Sequence, residues 1–266
     1  MRVILLLVIV VCGASVCGQY NLSHGETVEQ RFSPPRSYKR LYGAEGSFAQ
    51  YLRRYPLYKQ GSPVRLFDGR IKQQQVHAAV FRMELLDKDL IQCADAIIKL
   101  RAEYLYETKN YDAIVFSLTN GMRVPYSRYA RGERVKVSGN KTDWIGGRQG
   151  GYGREVFDAY LAFIYAYAGT LSLSREMRTV DIGDIRIGDV FIFGGSPGHA
   201  VLVCDLALDA KSGKKVMLLG QSYMPSQQFH ILKSYEDISP WYYVRDEILR
   251  TPEWTFERGS LKRFDN

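Results

Sequence analysis

Hydrophobic positions along the chain fall into three patterns, and each predicts a different element. The first is continuous: Val3 to Val11 are all apolar, a run too short to cross a bilayer. Preceded by Met1-Arg2 and followed by small residues, it predicts a secretory signal peptide over residues 1–18, with Val16 and Gly18 at the −3 and −1 positions before Gln19. Lipid attachment at Cys12 or Cys17 would require a small residue where Val11 and Val16 stand.

The second pattern has helical spacing. Ile91, Ala94, Ile97, Ile98 and Leu105 line one face of a helix, with Arg101 inside that face and Cys93 at its edge. Asp89-Leu90-Ile91-Gln92 has the form of a capping box, so the helix is expected from there to about Tyr106. A shorter helix is expected over Ser47–Tyr55, stopped by Pro56, and a long one over Arg154–Leu171.

The third pattern consists of short apolar runs between turn residues. Strands are expected at Val64–Phe67 and Val76–Leu85 (joined through Asp68-Gly69), Ile114–Leu118, Val135–Val137, Val190–Phe193, from His199 onward, and Val216–Ser222. Residues 19–45 are polar and read as an extended lead-in. Gly146 to Gly153 holds five Gly in eight residues, with no strand leading into it as a phosphate loop would need. The fold class is α+β, a single domain over residues 19–266.

Composition changes this picture little. Hydrophobic residues make up 46% and charged residues 24% of 266 positions, which is ordinary globular usage. The net charge of +8 comes from dispersed residues with no Lys/Arg block, so no nucleic-acid partner is expected and only a weak preference for anionic polymers. No later segment reaches membrane-spanning length, and the expected location is the periplasm or the exterior. Of four cysteines, Cys93 and Cys204 survive cleavage. They could pair as one disulfide, or leave one reactive and one buried thiol. No C-x-x-C is present, and His24, His77, His199 and His230 lack paired-ligand spacing, so neither zinc nor another cofactor is expected.

Residues 187–204 carry the chemistry: a turn at Gly188-Asp189, an apolar strand, a Gly194-Gly195-Ser196-Pro197-Gly198 turn, then a second strand that begins at His199. The strand after Lys211-Ser212-Gly213 should return antiparallel and bring Gln221 near His199. A strand end holds an imidazole in place, and a side-chain amide can orient it. Cys93, in the first turn of its helix, is the candidate nucleophile, since helix-terminal N–H groups favour a thiolate. His199 is expected at a strand end facing a cleft. Asp189 reads as turn chemistry, Cys204 as core, and Arg101 as a buried cation in need of a carboxylate.

The order helix Cys93, strand-end His199, then polar Gln221 resembles papain-like proteins, in particular NlpC-type cell-wall peptidases and CHAP amidases. In place of the NlpC group's Asp-Cys-Ser, this chain has Gln92-Cys93-Ala94. Over its mature length the chain is similar to the exported proteins of domain-of-unknown-function family 4846. The stretches that carry this similarity include Gln92 to Ala96, Leu100 to Leu105, Tyr167 to Ser172, Gly188 to Val203, Gln221 to Pro225 and Thr251 to Thr255. The papain-like resemblance implies a cysteine hydrolase or transferase acting on an amide bond, with peptidoglycan as a candidate substrate. In it Cys93 would attack, His199 would move the proton and Gln221 would orient the ring. The alternative is an envelope protein that binds glycan or peptide in the same cleft without catalysis.

Overall fold

Alternation within two long strands organises the molecule, whose computed structural model describes residues 25–265. The helices are α1 (Val28–Arg31), α2 (Phe48–Arg54), α3 (Cys93–Glu107), α4 (Tyr126–Ala130), α5 (Arg154–Tyr167) and α6 (Thr170–Glu176). The strands run from β1 (Tyr38–Arg40) and β2 (His77–Val80) through the hairpins β3 (Val115–Ser117)–β4 (Arg123–Pro125) and β5 (Arg134–Ser138)–β6 (Lys141–Ile145) to β7 (Arg178–Thr179). The C-terminal half adds β8 (Val190–Phe193), β9 (His199–Asp209), β10 (Lys215–Gln221), β11 (His230–Leu232), β12 (Tyr242–Tyr243), β13 (Leu249–Arg250), β14 (Thr255–Phe256) and β15 (Leu261–Arg263).

The main sheet is antiparallel, in the order β2-β11-β10-β9-β8-β15-β7, with β1 against the far end of β9 and β12 against β10. Even-numbered residues at the start of β9 (Ala200, Leu202, Cys204) join the core beneath α3, while Val201 and Val203 join a second core with Phe256 and Leu261. This is the two-residue period of a strand buried on both faces. The β9–β10 register shifts at Leu218/Leu219 and leaves Cys204 as an extra residue. Gly220, which pairs with Leu202, leaves room for it: a Cβ there would come within 2.5 Å of Phe229 and 2.8 Å of the Cys204 sulfur. Asp205 follows the bulge, wholly buried, and binds Arg40 at 2.7 Å and Arg53 at 2.6 Å.

Several expectations need correction. The Cys93 helix starts at Cys93 with Gln92 as its cap, three residues after the expected cap Asp89. Asp95 accepts the Gln92 N–H at 3.1 Å, whereas the Asp89 carboxylate takes the Ser226 N–H at 2.6 Å, a partner far along the chain. The long helix expected over Arg154–Leu171 breaks at Ala168-Gly169, and α6 leaves α5 at 103°. The N-terminal segment is not a plain extended lead-in: α1 and β1 fall within it, and Val28 and Phe32 are core residues. Val64–Phe67 forms only isolated bridges, and the strand expected over Val76–Leu85 shrinks to β2. Helix α2 and strands β8, β9 and β10 lie where the sequence pattern puts them. Among the described residues no single helix is long and apolar enough to cross a membrane. The signal-peptide reading lies outside those residues.

Candidate functional site

The start of α3 is tied to the end of β10 by hydroxyl groups. The Ile91 carbonyl accepts from Ser222 Oγ at 3.2 Å and from Ser226 Oγ at 2.9 Å, which sets Cys93 beside the Gln221 strand end. Cys93 is the first helical residue and is 6% exposed. The N–H groups of Ala94 and Ala200 donate toward its sulfur, and Ala200 directly follows His199. Among the described residues no hydrogen bond joins the thiol to the imidazole.

His199 opens β9, and its ring is almost fully enclosed at 1% exposure. Tyr223, Trp254 and Phe256 surround it, with ring centroids at 4.8, 5.4 and 5.9 Å. Its Nε2 lies 2.8 Å from Gln221 Oε1. The glycine before it is obligatory for space: a Cβ at Gly198 would lie 2.2 Å from Thr170 Oγ1 and 2.5 Å from the Gly195 carbonyl oxygen. Thr170 Oγ1 also donates to that carbonyl at 3.1 Å, so the turn ahead of His199 is anchored to α6.

Gln221 ends β10 and is fully buried. Its Nε2 donates to Glu253 Oε2 at 2.6 Å, and Glu253 Oε1 binds Lys72 Nζ at 2.5 Å. Glu253 sits in the tight β13–β14 turn, which Thr251 closes by taking the Trp254 N–H on its hydroxyl and donating its own N–H to the Trp254 carbonyl. That one turn supplies both Glu253 and the Trp254 ring to the site.

Of the three sequence-predicted site residues, the structure joins His199 and Gln221 directly and brings Cys93 to the adjoining backbone. Two expectations are reversed. Burial, with the Asp95 charge added, pushes the Cys93 thiol up to about 11, outweighing the N–H groups that favour the thiolate. His199 does not face a cleft. Burial pushes its imidazole down to about 4, against the opposing effect of the Gln221 bond. At neutral pH the thiol and the imidazole are both uncharged.

A cleft of about 400 Å³ opens on the Cys93 side, lined by Asp95, Tyr165, Thr170, the Gly195–Gly198 turn and Met224; His199 lies behind it. Asp95 Oδ1 and the Tyr165 hydroxyl are buried without a hydrogen-bond partner among the described residues. Burial pushes the Asp95 carboxyl up to about 7, although the Gln92 N–H opposes the rise. Among the described residues no cluster of three or more His, Cys, Asp or Glu could hold a metal ion.

Other readings are settled by contacts. Cys93 and Cys204 are free thiols, and Cys204 is core. Asp189 accepts the Arg186 N–H at 2.7 Å, as a turn residue should, and also binds Arg263 at 2.6 Å. Arg101 lies over the rings of Phe48, Tyr104 and Phe264. Glu253 and Lys72 were missed as site residues. Glu253 stood within Thr251 to Thr255, a stretch already quoted for family similarity, whereas Lys72 carries no sequence signal.

No curated protein and no solved structure matches this chain. A family model, described as domain of unknown function (4846), matches residues 28–263, which include every residue of the site described above, and the chain therefore belongs to that family.

Proposed function

We propose that this chain is an exported cysteine hydrolase or transferase of papain-like type that cleaves an amide bond, with peptidoglycan or another envelope polymer as substrate. The observation that carries this reading is the 2.8 Å bond from His199 to Gln221 beside a cysteine at the first position of a helix. Cys93 would attack the carbonyl carbon while His199 Nδ1 takes the thiol proton. The N–H groups at the start of α3 would receive the carbonyl oxygen as it gains charge. His199 then returns the proton to the departing amine, leaving a thioester. Water or a second amine attacks that thioester, the imidazole again moves the proton, and the free thiol is restored.

The resting charges decide the form of this chemistry. With the thiol at about 11 and the imidazole at about 4, the uncharged pair is favoured before substrate binds, and moving the proton would cost on the order of 9 kcal/mol less the mutual attraction of the two charges. Proton transfer therefore accompanies attack, as for a hydroxyl nucleophile, and no thiolate–imidazolium pair is stored.

Purified chain incubated with peptidoglycan fragments should release a cleaved amide detectable by mass, and Cys93→Ala should abolish the release. Cleavage that persists in Cys93→Ala overturns the assignment. The second reading, ligand binding without catalysis, is favoured by the high thiol value. It predicts equal binding by wild type and Cys93→Ala and no turnover by either.

A further inference from the structure

We propose that Glu253 is a positioning residue that sets the tautomer of His199 by holding the amide of Gln221 in one orientation. The inference rests on the reading of His199 as the proton carrier and adds a group to the set of Cys93, His199 and Gln221. An amide presents an oxygen on one side and an NH₂ on the other, and nothing in Gln221 itself decides which faces the imidazole. Glu253 decides it. Its carboxylate is 7% exposed, is bound to the Lys72 ammonium at 2.5 Å, and stands 2.6 Å from the Gln221 amide.

An ionised carboxylate can only accept hydrogen bonds. The Gln221 NH₂ must therefore face Glu253, and its oxygen must face His199. That oxygen also only accepts, so the His199 nitrogen 2.8 Å away, Nε2, carries the ring proton. In a neutral imidazole the other nitrogen is then bare. Nδ1 is thus the atom with a lone pair, ready to take a proton. Without the carboxylate the amide could rotate, offer its NH₂ to Nε2 and shift the ring proton to Nδ1. The ring would then keep its place and packing but present a donor where a base is needed. Lys72 serves the same end from behind: its ammonium pairs with Glu253 Oε1 and leaves Oε2 to face the Gln221 amide.

The test needs no substrate. In protein labelled with ¹⁵N-histidine, the His199 ring is assigned by its contacts with the Tyr223 and Trp254 rings, and its protonated nitrogen is read from the spectrum. Wild type should show Nε2 protonated and Nδ1 bare at neutral pH. Glu253→Gln, whose oxygen must face the Lys72 ammonium and whose NH₂ therefore faces Gln221, should reverse the Gln221 amide and move the ring to the Nδ1–H form. Glu253→Asp, which keeps the charge, should restore the Nε2–H form. A folded Glu253→Gln protein with an unchanged tautomer overturns the proposal. So does wild type with Nδ1 protonated, a measurement that stands even if the variant does not fold. Should the tautomer shift as expected while no amide is ever cleaved, the hydrolase reading fails and the positioning role stands.

Discussion

Replacing Asp95 with Asn should stabilise the protein, and by an amount that grows with pH. Asp95 sits in the first turn of α3, 6% exposed, with Oδ2 on the Gln92 N–H at 3.1 Å and Oδ1 without a partner among the described residues. Burial raises its carboxyl from the ordinary 3.8 to about 7. The native state therefore holds this proton more tightly than the unfolded chain between about pH 4 and 7. Stability contributed by the group is complete below about pH 4 and is lost as pH rises toward 7, by roughly 4 kcal/mol in total. Asparagine keeps an oxygen for the Gln92 N–H and cannot ionise. The variant should thus match wild type near pH 4 and exceed it by about 4 kcal/mol at pH 8.

Urea unfolding of both proteins at pH 4, 5.5 and 8 measures this. With a slope of about 2–3 kcal/mol/M, the midpoint gap should open to about 1.5–2 M at the highest pH. The comparison isolates one group. Glu176, raised by burial to about 7, tilts stability in the same direction, and His199 and His230, lowered to about 4 and 3, tilt it the other way. All three are common to both proteins and cancel in the difference. A gap that stays the same at every pH would refute the claim that Asp95 is held as a neutral acid.

Other consequences are as direct. Iodoacetamide labelling of Cys93 should rise with an inflection near pH 11, and near pH 7 it should run about a hundredfold slower than for an ordinary thiol near 9.0; an inflection below 8 would show that helix N–H groups outweigh burial. Asp205→Ala should cost about 3–5 kcal/mol in denaturant unfolding, because it leaves the buried Arg53 and the partly buried Arg40 guanidinium groups without their carboxylate, and a loss below 1 kcal/mol would contradict that. His199→Ala should cost about 3 kcal/mol, since a ring packed on Tyr223, Trp254 and Phe256 is removed and the Gln221 oxygen is left unpaired; unchanged stability would mean the ring is not enclosed. Gly198→Ala should destabilise by about 2 kcal/mol through its collision with Thr170 and the Gly195 carbonyl, read as a lowered unfolding midpoint.

What the sequence made legible follows one rule: patterns whose partners lie nearby in the chain could be read. The β8–β10 meander was visible because alternation and tight turns specify it locally, and its antiparallel return was enough to bring Gln221 to His199. The start of α3 was not, because Asp89 has the chemistry of a cap but spends its carboxylate on Ser226, 137 residues away. Glu253 is the same case. Nothing around the β13–β14 turn announces that its carboxylate reaches the end of β10, 32 residues back in the chain.

The charge state of the site was misread for a related reason, and the magnitudes show why. A helix N-terminus favours an anion by typically 0.3–1 kcal/mol, and about 2 kcal/mol in the best partly buried cases. The Cys93 thiol moves from 9.0 to about 11 even with the Ala94 and Ala200 N–H groups turned toward it, so burial and the Asp95 charge together oppose the thiolate by nearly 3 kcal/mol beyond what those groups return. The local effect is written in the sequence; the covering residues are not. The same enclosure lowers His199, so it favours an uncharged pair on both sides. A site built this way gains nothing from a stored thiolate. In the proposed hydrolase the reaction would depend instead on which imidazole nitrogen is bare when a carbonyl reaches the cleft, and in the proposed arrangement Gln221, Glu253 and Lys72 would decide that.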